Sequence, residues 1–505
     1  MSREGPAVGT AGAAAPAGMA PLEPLEPPIG GWELMYDGGA HGPVNGRRLE
    51  VESAIDGSVI ASIPNADADD LERAVAAAVR AARDWRKRSP QQRAAVIDGF
   101  VAGLLEANER LAWLDTVNAG MPITATRMEA SWARGISDVA RLAAEVKGST
   151  FPETNGVWGY TLREPYGVVG NILPFNHPVA AAANGLAEPL AAGNCVIVKP
   201  SEWTSLSALE VGRIAQETLP PGVVSVLTGD GAGIGNAICE HPAIPRLWFT
   251  GSVRTGRAVM RAAAEHIKHV TLELGGKGPL AILPDAEIGH AVQMAVNGMN
   301  LRGVQAGQSC QSSSRVLVHE SMYDEFCERM VDSIRQVKQG DPRLPETEMG
   351  ALAFRRHQTR VLDYIELGVA EGARLITGGN VPAGLESGFF VEPTVFADVE
   401  RNMRLANEEI FGPVVALMRW SAEEELIAIA NGVEYGLTAR IVCGSLGPGL
   451  RLANEIEAGR MWINVADGGP ARMPFGGYKH SGIGKVGDFE SLVSYTREKA
   501  ISVSV

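Results

Sequence analysis

The chain has no excess of basic residues and no long apolar run. Among its 505 residues, 45 are Lys or Arg and 59 are Asp or Glu, which gives a formal net charge of −14. Such a chain repels phosphate backbones, so we expect no nucleic-acid partner. No apolar stretch reaches the roughly 20 residues that a membrane-spanning helix needs, so no membrane partner is expected either.

The N-terminal segment lacks the features of a secretory signal. Residues 1–30 contain one basic residue and no sustained run of Leu, Val or Ile. Ala, Pro and Gly dominate the segment, and its apolar residues follow no helical or strand period. This composition predicts a disordered tail over 1–30.

Cysteines are few, scattered and odd in number. No CxxC pair is present, which argues against a disulfide framework and against a zinc site, so no metal is expected. The absence of disulfides favours a reducing compartment, and we expect a cytoplasmic protein. The five cysteines are Cys195, Cys239, Cys310, Cys327 and Cys443.

The remaining composition is that of an ordinary globular chain, with 45% hydrophobic and 21% charged residues. From about residue 167, short apolar runs alternate with helical stretches, which predicts a doubly wound parallel sheet of the α/β class. A further α/β stretch extends from about 280 to 480. The alternating segment 147–166 predicts a projecting hairpin, and the alternating C-terminus predicts an exposed strand that can pair with another chain.

One cysteine lies in a segment that suits a nucleophile. GQSCQSSSR places Cys310 in a loop of small and polar residues, where a thiolate can be reached by a substrate. A structural cysteine in a tight turn is the alternative interpretation. Cys195 and Cys443 lie in apolar strands, and Cys239 and Cys327 lie on predicted helices, so we interpret these four as core residues.

A carboxylate and an amide follow two predicted strands. TLELGGK places Glu273 at the end of an apolar strand, where burial would raise its pKa and suit it to act as a general base. PFNHP places Asn176 after another strand, where its amide could donate a hydrogen bond to an oxyanion. The alternatives are a partly solvated glutamate and a turn asparagine. His177 could be a base, although a structural role is favoured.

Further candidates suit a dinucleotide. VIVKPSE carries Lys199 and Glu202 at a strand end, where a carboxylate can bind ribose hydroxyls. FTGS places Gly251 and Ser252 at a helix N-terminus, where backbone N–H groups can bind pyrophosphate. The glycine-rich run LTGDGAGIG does not satisfy GxGxxG, so a glycine-rich turn is the better interpretation. For Lys199 and Glu202, the alternative interpretation is surface charge on a loop.

A last motif, EEIFGPV, presents Glu409 beside Phe411. In chain order, the motifs PFN, KPSE, FTGS, ELGGK, GQSC, EEIFGPV and PFGGYKHSG resemble those of the aldehyde dehydrogenase superfamily, of the hydrolytic, non-acylating type. The resemblance extends from about residue 31 to 500. It implies an aldehyde-dehydrogenase-like α/β fold with a Rossmann-type cofactor domain, an α/β catalytic domain and a small β oligomerisation element.

The resemblance also implies a role for each catalytic candidate. Cys310 would attack the aldehyde carbon, and Asn176 with the Cys310 backbone N–H would bind the resulting oxyanion. Hydride transfer to NAD would leave a thioester, which water activated by Glu273 would hydrolyse. The product would be a carboxylic acid.

The cofactor residues follow in the same way. Lys199 and Glu202 would bind the adenine ribose, and Gly251 and Ser252 the pyrophosphate. Glu409 and Phe411 would bind the nicotinamide half. Glu202 favours NAD because a carboxylate repels a 2′-phosphate, although Lys199 leaves NADP as an alternative.

The implied layout divides the chain into segments. We expect a cofactor domain from 31–146 and 167–276 and a catalytic domain from 277–480. An oligomerisation element would comprise 147–166 and 481–505, and the chain would form a homodimer or homotetramer.

Four positions depart from the aromatic-lined substrate tunnels of aldehyde-oxidising relatives. Small or polar residues stand where bulky ones are common, which predicts a substrate that is bulkier or more polar than acetaldehyde. These positions are Ala181, Asn184, Val304 and Gly469.

Two rival functions remain open. An acylating enzyme would pass the thioester to coenzyme A, but a water-activating Glu273 would be counterproductive there. A catalytically retired homologue could serve as a binding or structural protein, but Cys310, Asn176 and Glu273 are all present.

Overall fold

The structure is a computed structural model that describes residues 25–27, 31–303, 305–470 and 472–504. Most of the predicted tail over 1–30 therefore lies outside the described residues, as does Val304. The strands and helices below refer to the described part of the chain.

The strands are short. In chain order they are β1 (Leu34–Tyr36), β2 (Gly39–His41), β3 (Arg48–Glu52), β4 (Val59–Pro64), β5 (Thr150–Thr154), β6 (Val157–Pro165), β7 (Val168–Ile172), β8 (Cys195–Lys199), β9 (Val224–Val226), β10 (Arg246–Thr250) and β11 (His269–Glu273). They continue with β12 (Pro279–Ile282), β13 (Arg315–His319), β14 (Arg374–Thr377), β15 (Thr394–Ala397), β16 (Val414–Trp420), β17 (Tyr435–Gly436), β18 (Thr438–Val442), β19 (Arg460–Ile463), β20 (Tyr478–Lys479), β21 (Gly482–Ile483) and β22 (Thr496–Ser504).

Helices separate most of these strands. They are α1 (Ala68–Trp85), α2 (Pro90–Glu106), α3 (Asn108–Ala119), α4 (Ile123–Ser131), α5 (Arg134–Leu142), α6 (Pro178–Asn184), α7 (Ala187–Ala192), α8 (Leu206–Thr218) and α9 (Asn236–Glu240). They continue with α10 (Val253–Ala264), α11 (Ile288–Gly298), α12 (Tyr323–Arg335), α13 (Arg355–Ala370), α14 (Arg404–Asn407), α15 (Glu423–Asn431), α16 (Leu446–Glu455) and α17 (Phe489–Val493).

The first large sheet has the strand order β2-β1-β9-β8-β7-β10-β11-β21. Its central strands, from β9 to β11, are parallel, and antiparallel strands close both edges. The chain moves outward in opposite directions from β7 and from β10. The point where the strand order reverses therefore lies between these two strands, and open α/β sheets bind ligands at the carboxyl ends there.

The second large sheet has the order β14-β15-β16-β13-β12-β18-β19. All of its neighbouring strands are parallel except β14 and β15. Each sheet packs its helices over a separate apolar core. The predicted α/β class with parallel sheets is confirmed, and the GAGIG run forms a single π-helical turn after β9, as a glycine-rich turn would.

A third sheet is built from the predicted hairpin and the C-terminus. β5 and β6 form the hairpin, and β22 pairs with β6 along its full length. The predicted segment 481–505 is divided, however. β21 extends the first large sheet, and only 496–504 join the hairpin, because the intervening α17 returns the chain to the body.

Local sequence signals account for the ends of the helices. Ser89 caps α2, with Pro90 at its first position, and the Ser89 and Gln92 side chains bond each other's backbone N–H. Ser252 caps α10 by accepting from the Thr255 N–H. No helix in the described residues is long and apolar enough to cross a membrane.

Candidate active site

Four of the predicted site segments meet at the carboxyl edge of the first large sheet. Asn176 follows β7, Lys199 ends β8 and Glu273 ends β11, while Gly251 and Ser252 connect β10 to α10. Because these strands are parallel neighbours, their carboxyl ends lie side by side. The predicted strand-end positions are therefore brought together at the point where the strand order reverses.

The other candidates come from loops at the amino ends of strands in the second sheet. Cys310 lies before β13, and Glu409 lies before β16. Hydrogen bonds join both of these loops to segments that follow strands of the first sheet. The Asn176 amide donates to the Gln308 carbonyl at 2.8 Å, and the Gly276 N–H donates to Glu409 Oε1 at 2.7 Å.

Cys310 is the only one of the five cysteines that is not buried. Burial of its sulfur and, to a smaller extent, the charges of Glu273 and Glu409 raise the pKa of the Cys310 thiol to about 12. Backbone N–H groups of Cys310 and Gln311 oppose the shift. The side chain is thus a neutral thiol whose ionisation needs a base or a bound positive charge. The interpretation of the other four as core residues is confirmed.

Glu273 is 5% exposed, and neither of its carboxylate oxygens has a hydrogen-bond partner among the described residues. This burial raises the pKa of Glu273 to about 8, although the charge of Lys485 opposes the shift. The predicted rise of its pKa is confirmed. A carboxyl group with this pKa is mostly protonated at pH 7, and a growing fraction can accept a proton from water as the pH rises toward 8.

Asn176 has one amide hydrogen to spare. Its side-chain nitrogen carries two hydrogens, and the bond to Gln308 uses one of them. Gln308 is itself fixed, because its side-chain oxygen accepts from the Ala353 N–H at 3.0 Å. The amide of Asn176 is therefore held against the Cys310 loop, where its second hydrogen can stabilise negative charge on a substrate oxygen.

Lys199 and Glu202 form an ion pair of 2.9 Å at the end of β8. Lys199 is buried, and Glu202 is half-buried. At the same edge of the sheet, two strands away, α10 begins after Gly251, where an added Cβ would lie 2.6 Å from the Phe249 ring. A carboxylate and a helix N-terminus at one sheet edge fit the ribose and pyrophosphate of a dinucleotide.

Glu409, in the loop before β16, is half-buried. Burial raises the pKa of Glu409 to about 7, while the bond from Gly276 and the charge of Arg360 lower it. An added Cβ on Gly275 would overlap the Glu409 carboxylate, so a larger residue there would displace the Glu409 side chain. Glu409 thus offers an acceptor beside the Gly276 backbone, where it can bind the ribose next to a nicotinamide ring.

Phe411 adopts a left-handed backbone conformation, with φ 65°. The Phe411 carbonyl accepts a hydrogen bond from His357 Nε2 at 2.7 Å, and its ring lies 5.5 Å from that of Phe175. Burial lowers the pKa of His357 to about 4, so the imidazole is neutral and donates through Nε2. A non-glycine residue in this conformation is strained, and here the His357 bond holds it.

The proposed tunnel positions are only partly brought together. Ala181 and Asn184 lie three residues apart on one face of α6, and both are half-buried. Gly469 is exposed with φ 126°, and an added Cβ would lie 3.4 Å from the Arg460 guanidinium. Val304 lies outside the described residues.

Sequence reasoning missed a polar cluster next to Asn176. His177 Nδ1 lies 2.7 Å from Glu129 Oε1 and 2.9 Å from the Gln305 side-chain nitrogen. Glu129 belongs to α4, far from the site motifs in the chain, and no local pattern marks it. Gln305 lies five residues before Cys310, and its proximity to the GQSC motif was the one available signal.

The family model described as aldehyde dehydrogenase family matches residues 43–501. The chain belongs to this family. The resemblance that the motifs indicated is thus confirmed, and so is the fold class.

Individual relatives agree over nearly the whole chain. The aldehyde dehydrogenase tropH of Talaromyces stipitatus is 39% identical over 484 residues, which cover 94% of this chain and 93% of that protein. The crystal structure of betaine aldehyde dehydrogenase from Staphylococcus aureus in complex with NAD+ is 31% identical, with a TM-score of 0.91 and coverage of 94% and 95%. PnpE from Pseudomonas sp. WBC-3 is 36% identical, with a TM-score of 0.90 and coverage of 94% and 97%.

Metal ligands are not grouped in the part of the chain that the structure describes. No set of three or more His, Cys, Asp or Glu side chains there is placed to hold a metal ion.

Proposed function

We propose that this protein oxidises an aldehyde to the carboxylic acid with NAD, through a thioester on Cys310. The observation that carries the proposal is the meeting of Cys310, Asn176 and Glu273 between the two sheets. Each supplies a different part of the reaction: a nucleophile, an oxyanion donor and an unpaired buried base.

The Cys310 thiol releases its proton to solvent water, its sulfur forms a bond to the aldehyde carbon, and the carbonyl oxygen gains the negative charge. The spare amide hydrogen of Asn176 and the backbone N–H of Cys310 stabilise this oxyanion. Such preorganised donors contribute about 10²–10³ in rate. Loss of hydride from the same carbon then leaves a thioester on the cysteine.

NAD, when bound, accepts the hydride that leaves the aldehyde carbon. Lys199 and Glu202 bind its adenine ribose, Gly251 and Ser252 its pyrophosphate, and Glu409 and Phe411 its nicotinamide half. The ion pair between Lys199 and Glu202 supports NAD over NADP, because the lysine charge is already neutralised and cannot attract a 2′-phosphate.

Glu273 completes turnover by activating water. The carboxylate takes a proton from a water molecule, which attacks the thioester carbon and releases the acid and the Cys310 thiol. Its unpaired oxygens support this role, because no other described residue competes for the water. The same feature argues against an acylating enzyme and against a retired homologue.

The proposal is tested with the full-length protein, NAD and a panel of aliphatic, aromatic and amino aldehydes. We expect reduced NAD to form with an aldehyde bulkier or more polar than acetaldehyde, and the free acid to accumulate whether or not coenzyme A is added. Accumulation of an acyl-CoA would identify the acylating rival. No reduced NAD with any aldehyde would favour a binding protein.

The proposal also covers the domain layout, the oligomeric state and the location of the protein. Residues 31–146 and 167–276, which carry every strand of the first large sheet except β21, are the cofactor domain, and 277–480 form the catalytic domain. The third sheet is an oligomerisation element through which the protein forms a homodimer or homotetramer. Its location is cytoplasmic, where reductants keep Cys310 as a thiol.

A further inference from the structure

The polar cluster around His177 is built into the site but has no part in the chemistry above. His177 follows Asn176 directly, and Gln305 belongs to the loop that carries Cys310. The Gln308 side chain donates to the Gln305 carbonyl at 2.9 Å, and the Gln308 carbonyl accepts from Asn176. One network thus connects the cluster to the oxyanion donor and to the nucleophile loop.

Only one edge of the His177 ring is available to a ligand. Its side chain is 25% exposed, whereas the Glu129 side chain has no exposed surface. Nδ1 faces Glu129 and Gln305, and no hydrogen bond from Nε2 is formed within the described part of the chain. Nε2 is therefore the atom that the cluster presents outward.

The partners determine that Nδ1 carries a hydrogen. A carboxylate only accepts, so Nδ1 donates to Glu129 at 2.7 Å and cannot also accept a hydrogen from Gln305. The side-chain oxygen of Gln305 has no hydrogen-bond partner among the described residues. Turning the amide by 180° exchanges its oxygen and nitrogen, and the oxygen then accepts the hydrogen of Nδ1. Two acceptors then hold the Nδ1 side of the ring.

Three carboxylates surround this imidazole. Burial lowers the pKa of His177, but the charge and hydrogen bond of Glu129 and the charges of Asp115 and Asp467 raise it by more. The net rise favours a ring protonated on both nitrogens, so that Nε2–H is a donor. Asp467 lies on the exposed loop after β19, which also carries Gly469, and it is near enough for its charge to act on His177.

We propose that His177 is a specificity-determining donor that selects aldehydes bearing a hydroxyl group, and that Glu129 and Gln305 position its ring. A hydroxyl oxygen accepts from His177 Nε2, and its hydrogen can be donated toward Asp467. A carboxylate on the substrate would be repelled by Asp467, and a quaternary ammonium would offer His177 no acceptor. This inference rests on the proposed function and names the substrate class within it.

The test compares kcat/KM for two aldehydes of nearly equal shape, para-(hydroxymethyl)benzaldehyde and para-ethylbenzaldehyde, with NAD. We expect the protein to prefer the hydroxymethyl compound by roughly tenfold, as one net hydrogen bond allows. His177→Phe should reduce this ratio to about one. The control His241→Phe, which removes another histidine paired with a glutamate, should retain it.

The pH dependence of the kcat/KM ratio tests the positioning role of Glu129 separately. Glu129→Gln keeps an acceptor for Nδ1 but removes the charge that favours a proton on Nε2. Its preference for the hydroxymethyl compound should therefore disappear at a lower pH than that of the unaltered protein. Identical pH profiles of the ratio would contradict the role of Glu129.

Other outcomes are equally decisive. Equal kcat/KM for the two aldehydes, or a preference that survives His177→Phe, would overturn the inference. So would a preference for para-carboxybenzaldehyde or para-(trimethylammonio)benzaldehyde over the hydroxymethyl compound. Failure of the proposed function is distinct from these results, because no probe would then yield reduced NAD.

Discussion

Glu273 combines two properties that are rarely found together in a carboxylate. It lies at the end of a buried strand, and neither oxygen has a partner among the described residues. Removing a charge from water without compensation disfavours the ionised form, and Lys485 offsets only part of this cost. The residue is therefore poised to bind and release a proton near neutral pH.

We predict that turnover follows the ionisation of Glu273. A general base works only when deprotonated, so kcat should rise with pH and level off above about pH 8. Glu273→Gln should abolish this rise and slow turnover by about 10²–10⁴-fold, while the first equivalent of reduced NAD still forms as a burst. Rapid-mixing absorbance measurements check both effects.

The control is Glu265→Gln, an exposed glutamate just beyond α10, which should leave the profile unchanged. A Glu273→Gln variant without a burst would show that the carboxylate already acts before the thioester forms.

Residues at strand ends were predictable, whereas long-range partners were not. Glu273 and Asn176 follow apolar runs, and the order of parallel strands places their ends side by side. Glu129 carries no such signal, since its contact with His177 depends on how α4 packs against α6. The half-buried ion pair of Lys199 with Glu202 also needed the structure, because spacing alone allowed surface charge.

At the scale of elements, the short helix α6 depends on a neighbour for its N-terminus. Its N-cap residue, His177, makes no side-chain cap bond. Instead, Asp115 on α3 accepts a hydrogen bond from the Val179 N–H at 2.9 Å. The loop that carries Asn176 is thus fixed between β7 and a helix end that another helix caps.

This cap predicts a pH-dependent stability. Burial raises the pKa of Asp115 from 3.8 to about 7, and the charge of Glu129 adds to the rise. Asp115 binds its proton more tightly when folded, so its contribution to stability is present below pH 3.8 and is lost as pH rises toward 7. Asp115→Asn keeps the acceptor and removes this dependence, so the Tm of the variant should rise relative to wild type over that range.

Thermal unfolding at several pH values measures the difference. The control Asp363→Asn, at an exposed position on α13, should give a Tm difference that does not vary with pH. A constant difference for Asp115→Asn as well would contradict the assigned burial of the carboxylate charge.

The elements themselves were predicted where periodicity is strong, as in α1, α2 and the strands β7, β8 and β11. The C-terminal region was predicted less well. Residues 481–505 were expected to form one element, but β21 pairs with β11 in the first sheet. A two-residue strand has too short a pattern to be recognised before its partner is known.

At the scale of the whole molecule, the site lies where the carboxyl edge of one sheet faces the amino edge of another. The third sheet stands apart, and it exposes large apolar side chains on both hairpin strands. These include Phe151 and Val157, which are 53% and 44% exposed. Because apolar side chains grouped on an exposed sheet are costly to leave in water, we propose that another chain covers this surface.

We predict that Phe151→Asp weakens self-association. The unaltered protein should have the mass of a homodimer or homotetramer by size-exclusion chromatography with light scattering, and the variant should have a smaller mass. Leu446→Asp, at a position that is 59% exposed outside this sheet, is the matched control and should leave the mass unchanged. A monomeric unaltered protein, or a Phe151→Asp variant of unchanged mass, would refute the assignment.

The rate of NAD reduction by a Cys310→Ser variant with the best aldehyde tests whether Cys310 is the nucleophile. We predict a loss of roughly 10³-fold or more, since the reaction depends on the sulfur. Cys327→Ser, which alters a buried cysteine on α12, should retain activity. A Cys310→Ser protein that still reduces NAD at the wild-type rate would show that Cys310 is not the nucleophile.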